Sequence, residues 1–399
     1  DRLLQSAGGQ EEVMCDASGR IIRRPGDRPL RKAKNGHDIY LTIDSWIQNI
    51  ARQALAHQVN KHEPESAWAL VLDARTSAVL AMVNWPEFNP SNPAQTVAAA
   101  RRNRIITDAY EFGSIMKPIT AAIALDKQII TPSSEFDCHR GSWRVGSRTV
   151  HDVHSYENLT VRQIIIHSSN IGAAQIGLKL GSSKFHTGLR RFGFGSPLGI
   201  HLPGEVSGII RPVKRWNKHS LISVSFGQEI ALTPLSVACA YVALANDGVL
   251  LRPHIVRKIV KTDNNQCVYE FQDREVIRQA VSRRAAWQVL EILEHVVSEG
   301  TGRRVKLDDY KVAGKTGTAS LLRKDGRGYS KDRYLASFIG LAPAKSPRLV
   351  VLVSLQAPSK GSHYGGTVAG PAVREILRQT LRYLEIPPKP SSTIAEASE

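Results

Sequence analysis

The spacing of apolar side chains changes period along this chain, and each change marks an element. Residues 1 to about 40 are polar, basic and turn-rich (Ala17-Ser18-Gly19-Arg20, Arg23-Arg24-Pro25-Gly26), with a short extended piece at Gly19 to Ile22. From Asp44 the period becomes helical: Ile47, Ile50, Ala51, Ala54 and Leu55 share a face, and Asp44 stands at the N-cap position. The apolar runs Trp68 to Leu72 and Ala78 to Val83, separated by a polar stretch at 73–77, predict a hairpin. Helices are predicted from Ser114 to about Asp126, from Thr160 to Leu180, and from Thr233 to Asn246, where Gly248 follows as a stop signal. Strand patterns return at Lys311 to Ser320, Arg333 to Leu341 and Leu349 to Leu355, and a basic helix, Ala369 to Leu384, follows. Strands toward both ends with helices between them predict an α+β domain whose sheet is completed by distant segments.

Three short patterns occur in order on these elements: Ser114-Ile115-Met116-Lys117, Ser168-Ser169-Asn170 and Lys315-Thr316-Gly317-Thr318. A Ser and a Lys three apart share a helix face, so Lys117 Nζ is expected within hydrogen-bonding reach of Ser114 Oγ. A serine hydroxyl becomes a nucleophile only when a base takes its proton, and an ammonium cannot act as that base. Lys117 is therefore expected to be neutral part of the time, favoured by burial and by a neighbouring cation such as Lys315. Pro118 lies near enough to the helix start to cost only a first-turn hydrogen bond. Ser168 and Asn170 lie between helical runs, where a hydroxyl and an amide can relay a proton and hold a substrate amide; helix capping is the competing reading.

The strand around Lys315 holds two glycines, Gly314 and Gly317, as expected where another backbone approaches closely. An extended peptide could add to that edge, with Lys315 and the hydroxyls of Thr316 and Thr318 holding a terminal carboxylate. The backbone N–H groups of Ser114 and Thr318 are candidates for an oxyanion hole.

Together the three patterns resemble the S-x-x-K, S-x-N and K-T-G set of penicillin-binding proteins and serine β-lactamases. The likeness extends to Arg102-Asn103-Arg104, Phe192-Gly193-Phe194-Gly195, Leu202-Pro203-Gly204-Glu205, Ser225-Phe226-Gly227 and Tyr364-Gly365-Gly366, which are similar to segments of class B penicillin-binding proteins over about residues 40 to 385. Arg215-Trp216 and His363-Tyr364-Gly365-Gly366 look most like the septal, cell-division type. Phe112, Ile115 and Gln228 depart from the family's usual Pro, Thr and aromatic residue.

The resemblance implies an antiparallel five-stranded sheet flanked by helices, with an all-helical subdomain. It implies a D,D-transpeptidase acylated by peptidoglycan stem peptides ending in D-Ala-D-Ala and inhibited by β-lactams. Ser114 would be the nucleophile, Lys117 the general base, and Ser168 and Asn170 the proton-transfer and placement groups. Lys315 would act with Thr316 and Thr318 on the carboxylate, Gly317 would give clearance, and Tyr364 would join the substrate-binding set. No metal or other cofactor is expected. A membrane-embedded glycosyltransferase and divisome proteins are the expected partners.

The implied organisation is a linker or pedestal remnant at 1–40, a transpeptidase domain at 41–385 and a disordered tail at 386–399. The expected location is outside the cytoplasmic membrane, on a single-pass protein whose anchor is absent from this chain. A D,D-carboxypeptidase, and a β-lactamase or β-lactam sensor, remain open on the same motifs, and a non-catalytic wall-binding scaffold is the alternative from another class. No Glu-x-x-x-Asn segment stands between Ser168 and Lys315 to activate water for a hydrolase.

Charge adds one constraint. The 399 residues carry 53 Lys+Arg against 36 Asp+Glu, a formal +17, which alone would admit nucleic acid as a partner. No finger, basic zipper or RNA-binding aromatic motif accompanies it, so nucleic acid is not expected. From Thr301 to Val350 stand 12 basic and 4 acidic residues, an excess that brackets Lys315-Thr316-Gly317 and suits a carboxylate-ended substrate. The four cysteines, Cys15, Cys138, Cys239 and Cys267, are too scattered for a zinc or redox motif, and Cys239 is expected in the core.

Overall fold

A computed structural model describes residues 4–8, 14–22, 33–89, 91–92, 97–323 and 327–388. Its chain contacts form two units, one of residues 1–42 with 254–273 and one of residues 43–253 with 274–399. The sequence draws its boundary near 40 and runs the second domain unbroken to 385. The structure returns 254–273 to the first unit, because Val256–Lys261 pairs antiparallel with both His37–Leu41 and Cys267–Glu270. The first unit also contains a two-residue pairing of Met14–Cys15 with Ile21–Ile22, which includes part of the extended piece expected at Gly19 to Ile22. Most of the tail expected from 386 lies outside the described residues.

The second unit is built on a five-stranded antiparallel sheet. Its spatial order is Ala313–Leu322, Tyr329–Ala342, Leu349–Gln356, Ser66–Asp73, Val79–Trp85. The expected α+β class and five-stranded sheet are thus both present. Leu349–Gln356 sits in the middle, and its run of Val and Leu is buried on both faces. Each such side chain contributes roughly 1.5–3 kcal/mol. Leu349, Val351, Val353 and Leu355 join one core with the helices Ser45–His62 and Gly370–Tyr383. The opposite face is covered by Pro234–Ala245, whose unbroken apolar sequence is explained by burial on every side.

The predicted elements recur with small shifts. Asp44 caps the first of these helices, accepting from Trp46 N and Ile47 N. The predicted helix at Ser114 opens as a 3₁₀ turn, Gly113–Met116, before the α-helix Lys117–Asp126. The stretch predicted as Thr160 to Leu180 is two helices, Val161–His167 and Asn170–Leu180, broken at Ser168. Arg283–Ser298 adds an amphipathic helix beyond the predicted set; Ser282 caps it, and it packs on the edge strand Ala313–Leu322. All four cysteines are free, and Cys239 is buried. No helix among the described residues is long and apolar enough to cross a membrane.

Candidate active site

The turn that carries Ser114 is fixed from three sides. Gly113 has φ +55°, a conformation that glycine adopts without steric cost. Gly227 presses on it so closely that a Cβ there would stand 2.1 Å from the Gly113 carbonyl oxygen. Tyr241 OH, from the helix Pro234–Ala245, donates to Ile115 O at 2.8 Å. Ser114 is half-buried on this turn, and Lys117, at the start of the α-helix, is fully buried.

Lys117 Nζ donates to Asn170 Oδ1 at 2.7 Å, to Ser168 Oγ at 3.2 Å, and to the Ser168 carbonyl oxygen. The expected hydrogen bond from Lys117 to Ser114 Oγ is not among these. The pair does share the helix start, but the ammonium lies nearer the 168–170 loop, where a carbonyl, a hydroxyl and an amide oxygen converge on it. Burial, first, and the Lys315 charge, second, push the Lys117 pKa well below the usual lysine range, while Asp152 opposes the shift.

Capping in the 168–170 loop falls to a residue other than the two the sequence singled out. Thr160 and Gln163 form a capping box that starts Val161–His167, and the helix ends at Ser168 in a left-handed conformation (φ 63°). Ser169, not Ser168, caps the next helix, its Oγ accepting from Gly172 N at 2.9 Å. The Ser168 hydroxyl is therefore left to the two lysines, accepting from Lys315 Nζ at 3.0 Å as well as from Lys117.

Asp152, which the sequence did not single out, anchors this loop. Its carboxylate accepts from Ser169 Oγ at 2.5 Å, from Asn170 N at 2.5 Å and from Ile171 N at 3.1 Å, at a helix N-terminus where an anion is favoured. Asn170 Nδ2 donates to His151 O at 2.8 Å.

Lys315 and Gly317 point inward from the edge strand Ala313–Leu322, while Thr316 and Thr318 are half-exposed. Lys315 is fully buried, and burial pushes its pKa down to about 7. Its Nζ donates to Ser168 Oγ at 3.0 Å and to Thr316 O at 3.4 Å. Thr316 Oγ1 pairs with Thr301 Oγ1 at 3.0 Å, and Thr318 Oγ1 accepts from Gly365 N at 3.0 Å. A Cβ on Gly317 would stand 2.7 Å from Phe112 O, which explains the missing side chain. The same packing brings Thr318 beside the turn of Ser114: a Cβ on Gly113 would lie 3.2 Å from Thr318 O.

Tyr364 is exposed at the end of a ring stack. Its ring centroid lies 4.4 Å from that of His363, which stacks in turn on Tyr334 at 4.3 Å. The candidate residues on the turn, the loop and the strand thus meet in one place, although they arise from parts of the chain far apart in sequence.

Residues 67–378 match the family model described as the penicillin binding protein transpeptidase domain. The probable peptidoglycan D,D-transpeptidase PenA of Neisseria meningitidis is 35% identical over 98% of this chain and 65% of its own length. The peptidoglycan D,D-transpeptidase FtsI of Escherichia coli is 31% identical over 98% of this chain and 64% of its own length. The chain thus spans somewhat under two thirds of these relatives. A crystal structure of penicillin binding protein 3 from Mycobacterium tuberculosis, complexed with aztreonam, superposes with a TM-score of 0.82 at 28% identity. That match covers 94% of this chain and 88% of the other.

Proposed function

The chain belongs to the penicillin-binding protein transpeptidase family, and from that premise we propose that it cross-links peptidoglycan stem peptides through an acyl-enzyme on Ser114. The observation that carries the reading is the convergence of Lys117 and Lys315 on Ser168 Oγ, with Lys117 buried and its pKa depressed. A lysine whose pKa is lowered in this way is neutral more of the time and so better able to accept the Ser114 proton.

Ser114 Oγ attacks the carbonyl carbon of the penultimate D-Ala as its proton passes to the neutral amine of Lys117. The N–H groups of Ser114 and Thr318 receive the developing oxyanion. Ser168 gives its hydroxyl proton to the departing amine and takes the proton from Lys117 in its place, the C–N bond breaks, and D-Ala leaves. An amine of a neighbouring stem then attacks the ester, breaks its C–O bond and restores the Ser114 hydroxyl. The Asn170 amide places the substrate backbone. The Thr316 and Thr318 hydroxyls bind the terminal carboxylate, with the Lys315 charge behind them, and Tyr364 flanks the peptide.

β-Lactams would acylate the same serine, a reading supported by the aztreonam complex of the structural relative. We place the domain outside the cytoplasmic membrane, in septal wall synthesis with a membrane-embedded glycosyltransferase and divisome proteins. Intact-protein mass tests the chemistry: one adduct with penicillin on the wild type and none on Ser114→Ala is expected. Failure of the wild type to gain the adduct, or its gain by Ser114→Ala, overturns the reading.

A further inference from the structure

Asn170, the last residue of the second motif, also lines a cavity that neither of the other two motifs reaches. It opens between the hairpin of Ser142–Val145 with Arg148–His151 and the helix Lys218–Ser225. Val145 and Ile222 are buried in a small apolar cluster at its base. Arg148, His219 and Gln228 stand at its rim, Asn170 borders it, and no lining residue is acidic. An apolar base under a basic, hydrogen-bonding rim suits a side chain that is aliphatic along its length and acidic at its end.

The nearest carboxylate strengthens that assignment. Glu229 holds Arg148 only at 3.5 Å, and its other oxygen is bonded to Arg211. One carboxylate thus serves two guanidinium groups, Glu111 accepts from the Glu229 backbone N–H behind it, and the Arg148 side chain stays 63% exposed. Arg148 engages one of its five donors in this contact, so a bidentate partner can still be accepted. Asp152, next to the hairpin strand, is turned to Ser169, Asn170 and Ile171 and is not among the residues lining the cavity. Glu229 itself has φ +57°, a left-handed conformation that is uncommon outside glycine and asparagine. Such strain is found where a side chain is held for its contacts.

We propose that this cavity is a subsite for an acidic side chain of the donor stem peptide, on the residue that precedes the D-Ala-D-Ala end. The proposal rests on the transpeptidase reading, which puts the donor backbone against Asn170. Arg148 pairs with the side-chain carboxylate, and Val145 and Ile222 pack along the methylenes leading to it.

The test uses two synthetic stem pentapeptides that differ only at the third side chain, which ends in a carboxylate in one and in its neutral amide in the other. The readout is kcat/KM for D-Ala release without an added acceptor. The acid is expected to be preferred about tenfold, the worth of one charge-assisted hydrogen bond. Arg148→Ala is expected to collapse that ratio toward one, and Arg148→Lys to retain part of it. A general structural role for Arg148 would slow both peptides equally and leave the ratio intact, which overturns the proposal. Equal rates for acid and amide on the wild type also overturn it. A preference seen only in transfer to an added acceptor overturns the donor assignment. Absence of any acyl-enzyme, from penicillin as from both peptides, removes the transpeptidase reading and the subsite with it.

Discussion

Lys117 and Lys315, one from a helix start and the other from a sheet edge, share a single acceptor, Ser168 Oγ, at 3.2 and 3.0 Å. The Lys315 charge so placed opposes protonation of the buried Lys117. The proton that Lys117 gives up is the capacity the reaction needs.

Replacing Lys117 by arginine keeps a long cationic side chain and removes the base, because a guanidinium stays protonated. Acylation by penicillin, followed by intact mass against time, is expected to slow by about 10²–10⁴-fold, the usual contribution of general base catalysis. A rate within about threefold of the wild type would remove Lys117 from that role.

The pH profile of acylation is expected to rise as Lys117 loses its proton. The Lys315 charge lowers the Lys117 pKa and Asp152 raises it. Lys315→Met should therefore move the acid limb to higher pH, and Asp152→Asn should move it to lower pH. The position of the limb, rather than its height, is the measurement, and shifts in the same direction would contradict the electrostatic account.

Lys315 also links pH to stability. Its pKa falls from 10.5 to about 7 on burial, so the unfolded chain binds this proton more strongly than the folded one. The resulting destabilisation is complete below about pH 7 and vanishes as pH rises toward 10.5. Urea unfolding of Lys315→Met, compared with the wild type, should show a stability difference that changes by on the order of a few kcal/mol in favour of the variant between pH 10 and pH 7. A difference independent of pH would contradict the depressed pKa.

Gly317→Ala would put a Cβ 2.7 Å from Phe112 O, a backbone atom that can yield only by moving the turn before Ser114. A loss of about 1–3 kcal/mol in thermal or urea unfolding is expected, together with slower acylation. Unchanged stability and acylation rate would show that the strand and the turn are less tightly apposed.

The helix start at Ser114 and the strand around Lys315 were legible in the sequence because each depends on neighbours in the chain. N-caps, proline in a first helical turn and the alternation of small residues along a strand are local signals, and their order carried the family resemblance. The hydrophobic runs likewise located four of the five sheet strands closely, and Tyr329–Ala342 by its C-terminal part.

The tertiary structure decided what those residues face. It turned Lys117 to Ser168 and Asn170 instead of Ser114 Oγ, gave the capping task to Ser169, and buried Lys315 behind Thr316 and Thr318. It also brought in Asp152 and the Arg148 rim, single charged residues with no motif around them. Direction of this kind is set by packing: the sheet, the helix Arg283–Ser298 and the 168–170 loop close on one another from distant parts of the chain. Burial, which lowers both lysine pKa values, and the Lys315 charge, which lowers that of Lys117 further, act only once they have done so.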